Sequence, residues 1–235
     1  MKDKIFSNLL PIAIMLASLI FSFSYYSTNK QSGRIFVLGT ASDKKMSDVA
    51  KLNINLNKSC GLDNKNQTSD YIKKSIGILV NKLEAQGFEK SKINIYTING
   101  NSRYSNGSEI GYEYYQRISV SSEDIDKIEG LSDKIASMLP QDISVNANIE
   151  YFIDMEKIKD IKYKLVQKAT EDAKKRAQIM AKGSNTSVGK LISLRTGIFQ
   201  ITEPLSVDVS DYGIYSTETR EKKITITVNA DFALN

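Results

Sequence analysis

The side chains whose types and spacing suggest chemistry are basic and aromatic. Lys168, Lys174, Lys175 and Lys182 belong to a stretch with nine Lys or Arg against four Asp or Glu between Glu156 and Gly183. That excess of five equals the formal charge of the whole chain. Ammonium groups spread along a helix attract an anionic surface, either phospholipid headgroups or an envelope glycan. The plainer account is a solvated helix face, since Glu171 and Lys175 stand four apart, the spacing of an ordinary intrahelical ion pair. A second set, Tyr104, Tyr112, Tyr114 and Tyr115 with Arg103 and Arg117, has the composition of a platform on which sugars or bases stack. Tyrosines beside a turn serve cross-strand packing as well, and more commonly.

Catalytic chemistry finds no comparable set. The chain has no histidine, which removes Ser-His and Cys-His catalysis, imidazole metal sites and the usual proton shuttle near neutral pH. Cys60 is the single cysteine, so there is neither an intrachain disulfide nor a thiolate cluster for a metal. It reads as a small apolar side chain. Glu123, Asp124 and Asp126 open a helix, where the N-terminal dipole accounts for them. The expectation is a protein that is not an enzyme, with no catalytic residues, no cofactor, no metal and no nucleic-acid partner.

The lysines need a long helix, and the sequence supplies one. Ala169, Ala173, Ala177 and Ala181 recur every fourth residue before Gly183, which leaves methyl groups alone on one stripe and lets a partner approach closely. That partner is the chain's own sheet, or else another helix in an oligomer. Upstream, Leu52, Ile54 and Leu56 alternate with asparagines, the mark of a half-buried strand. Tyr71, Ile72, Ile76, Leu79, Val80 and Leu83 then recur at helical spacing and close on Gly87. Residues 92–99 and 112–120 predict a hairpin with a long tip containing Asn106-Gly107. Ile125 to Leu139 reads as a helix capped by Ser121 or Ser122, and residues 143–152 as a further strand weakened by Asn146 and Asn148. Ile224, Ile226, Val228, Ala230 and Phe232 alternate with polar residues in the clearest strand of the chain. The connection 202–220 predicts a polar projecting loop.

The predicted fold class is α+β, with two two-layer α/β units. Residues 49–152 form an inserted ferredoxin-like βαββαβ unit. Residues 33–48 and 153–235 form a second, discontinuous unit, in which one long helix packs on an antiparallel sheet. Residues 1–32 are a membrane segment: Ile5 to Tyr26 carry no charge, follow Lys2 and Lys4, and are long enough for a hydrocarbon core of about 30 Å. An uncleaved anchor is favoured over a signal peptide cut after Ser22 or Ser24, because the apolar run exceeds the usual signal core. Either way the rest is exported, to the outer side of the cytoplasmic membrane or to the periplasm.

Taken in order, GRIFVLGTASDKKMSDVA, LEAQGFEKSKI, ISVSSEDIDKI and ATEDAKKRAQIMAKGSNTSVGKLISLRTGIFQI resemble the SIMPL domain family of bacterial envelope proteins. The marks are Gly39, Asp48, Asp124, Lys127, Ala169, Ala173, Ala177, Ala181, Val188 and Gly189. The uncharged N-terminus and Gly197 to Ile201 resemble its membrane-anchored branch. Lys44-Lys45-Met46 departs from the valine and proline or alanine common among relatives. The resemblance implies an α/β envelope protein, a homo-oligomer and a link to oxidative-stress tolerance, with no catalytic residues to carry over.

Overall fold

The computed structural model describes residues 2–28 and 33–235, with the backbone alone at residues 2–10, 12 and 26–28. Helix α1 (Lys2–Thr28) contains the apolar run expected at the N-terminus. Part of that run's side chains, and residues 29–32 of the polar segment after it, lie outside the described residues. Among the described residues, no helix is long and apolar enough to cross a membrane.

The remainder is mixed α and β with two open sheets, divided between two compact units. One comprises residues 1–39, 170–196 and 228–235; the other comprises residues 40–169 and 197–227. The larger unit contains the ferredoxin-like arrangement. Strand β2 (Val49–Cys60) alternates as its sequence requires, with Ala50, Leu52, Ile54 and Leu56 fully buried. Helix α2 (Lys65–Ala85) buries Ile72, Ile76, Leu79 and Leu83, and the chain turns back at Gly87 with φ 79°. The predicted strand 92–99 is two short strands, β3 (Ile93–Ile95) and β4 (Asn99–Ser105), both antiparallel to β5 (Ser108–Ser122). At the break between them, Gln116 Nε2 donates to the Tyr96 carbonyl at 3.1 Å, while the Tyr96 N–H still donates to the Arg117 carbonyl of β5. The tip is tight rather than long, because Asn106 (φ 49°) and Gly107 (φ 81°) both take the left-handed conformation that a two-residue turn requires.

Helix α3 (Ile125–Lys134) is capped by Asp124, whose carboxylate accepts the Lys127 N–H at 3.0 Å. The hydroxyl expected there, Ser122 Oγ, instead accepts the Asp124 N–H. Strand β6 (Ser144–Phe152) forms despite Asn146 and Asn148, because both stand on its exposed face opposite Asn55 and Asn53. The sheet order is β3-β5-β2-β6, antiparallel throughout, and both helices supply residues to one apolar cluster with β2 and β5.

Helix α4 (Met155–Gly183) and the strands β1 (Arg34–Met46) and β10 (Glu221–Leu234) each contribute to both units. In the larger unit, β8 (Gln200–Thr202) pairs antiparallel with the first part of β10 and parallel with β9 (Ile214–Tyr215). The expected loop lies between them, and Leu205, Val207, Val209 and Tyr212 on it are exposed. In the smaller unit, β7 (Val188–Thr196) pairs antiparallel with the last part of β10. Ala169, Ala173, Ala177 and Ala181 are all fully buried by the chain itself, so no second copy is needed to cover the stripe. Among the described residues, Ala173, Ala177 and Ala181 with Val37, Val228, Ala230, Phe232 and Ala233 are the buried apolar residues of the smaller unit.

Candidate functional site

Strand periodicity creates two faces in the smaller unit. On β1, Val37 is buried while Arg34, Phe36 and Leu38 are exposed, Phe36 by 71% and Leu38 by 55%. On β10, Val228 and Ala230 are buried and Asn229 between them is exposed. The register sets Arg195 of β7 opposite Asn229, and Ser193 opposite Asp231. The register then shifts, with Ile192 of β7 as the extra residue between the Asp231–Ser193 and Phe232–Leu191 pairs, and Asp231 and Phe232 are both buried. The outcome is a groove of about 780 Å³ along β1, β10 and β7, with apolar flanks from Phe36, Leu38 and Ile192 and guanidinium groups from Arg34 and Arg195.

Asp231 lies within this groove. It is 6% exposed, Arg34 Nη1 is 3.8 Å from its Oδ2, and its Oδ1 has no hydrogen-bond partner among the described residues. Buried polar atoms are nearly always satisfied, so such an oxygen calls for an explanation. Chemically, the face combines two guanidinium cations, one acceptor that lacks a donor among the described residues, and hydrocarbon. It can bind.

The lysines singled out by sequence, Lys168, Lys174, Lys175 and Lys182, are all exposed on α4. Helical geometry places Lys168, Lys175 and Lys182 on the side away from the alanine stripe and Lys174 between the two. One ion pair within this helix joins Arg176 Nε to Asp172 Oδ2 at 2.7 Å.

The tyrosine and arginine set does not converge. Tyr114 is buried in the core cluster, where a Cβ added at Gly100 would lie 2.5 Å from its ring. Tyr112 lies under Lys65 Nζ, 4.5 Å from the ring centroid. Tyr115 turns to the other face, where it donates a short hydrogen bond to Glu113. That bond holds the Glu113 carboxyl below its usual range and the Tyr115 hydroxyl above. Arg117 Nε reaches Asn55 Oδ1 at 3.1 Å and covers the Tyr96 ring. Tyr104 is exposed at the tip. These are packing roles on two faces of one sheet.

Sequence reasoning missed two arrangements besides the groove. Asp142 accepts from Lys58 Nζ at 2.8 Å and from Tyr71 OH at 2.7 Å, close to the half-buried Cys60. The Lys58 bond, with that of Tyr71, lowers the Asp142 carboxyl, and the Asp142 bond raises the Tyr71 hydroxyl. Lys222 is fully buried on β10, its Nζ has no hydrogen-bond partner among the described residues, and burial lowers its pKa to about 8. The alternation that identifies β10 put Lys222 on the inward face from the start. Arg34, Arg195 and Asp231 had no such signal, because they lie on three segments that meet only in the sheet. Among the described residues, no group of three His, Cys, Asp or Glu is placed to hold a metal ion.

A family model described as SIMPL, protein of unknown function (DUF541), matches residues 35–232. No curated protein matches the chain. Similar solved structures include a de novo designed protein, Foldit4, at 12% identity and TM-score 0.23, over 43% of this chain and 94% of that one. Another is a dimeric ferredoxin-like protein from an uncultured marine organism, at 8% identity and TM-score 0.24, over 45% and 97%. An unknown protein from Galdieria sulphuraria matches at 9% identity and TM-score 0.18, over 79% and 83%.

Proposed function

The chain belongs to the SIMPL family, and from that premise we propose that it is a non-enzymatic cell-envelope protein that acts by binding. In this reading α1 holds it in the cytoplasmic membrane, and residues 33–235 lie on the outer side. The observation that carries the binding role is the groove on β1, β10 and β7, where Phe36 and Leu38 stand exposed beside two arginines. Apolar side chains gathered on an uncovered sheet face are the usual substance of a contact surface. The anchor is supported by the uncharged run from Ile5 to Tyr26 behind Lys2 and Lys4. Self-association is supported by the exposed Leu205, Val207 and Val209, which alternate with polar residues as an added strand would.

Alkaline carbonate extraction of membranes that hold the full chain tests the anchor. The wild type stays in the pellet, while Leu16→Lys with Ile20→Lys moves it to the supernatant. Release of the wild type, or an N-terminus cut near Ser24, overturns the anchor in favour of a periplasmic protein. Light scattering on the detergent-solubilised chain tests the homo-oligomer, which a monodisperse monomer at high micromolar concentration removes.

A second reading uses the α4 face that carries Lys168, Lys175 and Lys182, with Lys174 beside it, to bind an anionic lipid or envelope glycan. It is favoured by their exposure on the side away from the buried alanines. Replacement of all four by glutamine then abolishes co-sedimentation with anionic vesicles; unchanged binding removes this reading.

A further inference from the structure

A buried carboxylate oxygen without a donor is costly, and in Asp231 that oxygen lies beneath a groove through which a donor can arrive. Arg34 does not meet the need. Its Nη1 stops 3.8 Å from the other oxygen, beyond hydrogen-bond distance, and its side chain is 59% exposed and able to swing aside. Two guanidinium groups flank one carboxylate here, so a bare cation is repelled by the arginines, and a bare anion leaves the Asp231 oxygen without a donor. The fitting molecule carries an N–H donor with positive charge, an anionic group close to it, and hydrocarbon to lie on Phe36, Leu38 and Ile192.

Chain geometry narrows the source. Strand β1 begins six residues after α1 ends, a span of at most about 20 Å. With α1 in the bilayer, Arg34 lies within that distance of the headgroup layer. We propose that the groove binds a phospholipid whose zwitterionic headgroup carries a primary ammonium, as in phosphatidylethanolamine. The phosphate lies between Arg34 and Arg195, the geometry that guanidinium favours. The ammonium donates to Asp231 Oδ1, and the first acyl carbons lie on Phe36, Leu38 and Ile192. The source of the lipid rests on the anchored reading above; the chemistry of the groove does not.

Native mass spectrometry of the full chain in non-ionic detergent tests this with dihexanoyl phosphatidylethanolamine, phosphatidylcholine and phosphatidylglycerol. The ethanolamine lipid binds about tenfold or more tighter than the choline lipid, whose quaternary nitrogen has no N–H to donate. Asp231→Asn erases that preference. The Arg34→Gln, Arg195→Gln double variant, which alters exposed side chains alone, weakens both lipids by about tenfold or more. Equal retention of ethanolamine and choline lipids, tightest binding of the glycerol lipid, or no retention of any overturns the proposal. The Leu16→Lys, Ile20→Lys variant separates the two readings, since it leaves the groove intact and removes the anchor. If it still selects the ethanolamine lipid while the wild type is released from membranes by carbonate, the anchor fails and the groove stands. If the wild type resists carbonate and no lipid is selected, the groove fails and the anchor stands.

Discussion

The Asp48 carboxylate lies 2.7 Å from Lys157 Nζ, and its second oxygen accepts the Asp154 N–H, also at 2.7 Å. Asp154 in turn accepts the Glu156 and Lys157 N–H groups, which otherwise lack partners at the start of α4. Asp48 therefore fixes the residue that caps the long helix. The Lys157 ammonium is held above its usual range, chiefly by the Asp48 hydrogen bond.

Asp48→Ala removes a charged acceptor for a backbone N–H as well as an ion pair, and is expected to cost about 1–2 kcal/mol. Lys157→Met removes the exposed pair alone and has a much smaller effect. Urea unfolding of the two variants checks the order, and equal losses would show that the capping link contributes nothing.

Lys222 makes stability depend on pH. Its folded pKa of about 8 lies below the ordinary 10.5, chiefly through burial, which Glu203 and Glu218 oppose. Between those values the unfolded chain binds more protons than the folded one, so stability rises with pH across that interval. Below pH about 8 the full penalty persists, on the order of 3 kcal/mol. Above pH about 10 the rise is offset, because Tyr71 and Tyr115 keep protons in the folded state that the unfolded chain releases. Lys222→Met is expected to be more stable than the wild type at pH 7 and to lose the rise, which denaturation at pH 7, 8, 9 and 10 will show.

Gly111 has φ 154°, and a Cβ there would lie 2.0 Å from the Cys60 carbonyl oxygen. The obstacle is backbone of the paired strand and cannot swing aside. Gly111→Ala is expected to lower stability by about 3 kcal/mol or more, with Gly107→Ala, where nothing lies within 4 Å, as the milder comparison. Thermal unfolding of both separates the clash from the cost of positive φ.

Ala177 is fully buried in the alanine stripe. Ala177→Leu forces three further carbons into packed space and should destabilise by about 1–3 kcal/mol. Lys175→Leu, on the exposed side of the same helix, should change stability by less than about 0.5 kcal/mol. A melting temperature for each is sufficient.

Elements with strong periodicity were legible before any coordinates. The alternation from Ile224 to Phe232 placed β10, the four-residue alanine spacing placed α4, and Asn106-Gly107 marked a turn that takes positive φ at both positions. Local competition was not legible. A Gln116 side chain reaches the Tyr96 carbonyl where one expected strand is two, and Asp124 rather than Ser122 caps α3. Both outcomes depend on which of several nearby donors and acceptors wins, and spacing does not report that. The lysines of α4 were found because charge on one helix is visible along the chain.

The sequence by itself determined the strongly periodic elements, their inward and outward faces, and the absence of histidine chemistry, because periods of 2 and 3.6 and residue types are local properties. Only the tertiary structure decided that Arg34, Asp231 and Arg195 share one groove. They sit on β1, β10 and β7, and hydrogen-bonded pairing of strands far apart in the chain brings them side by side.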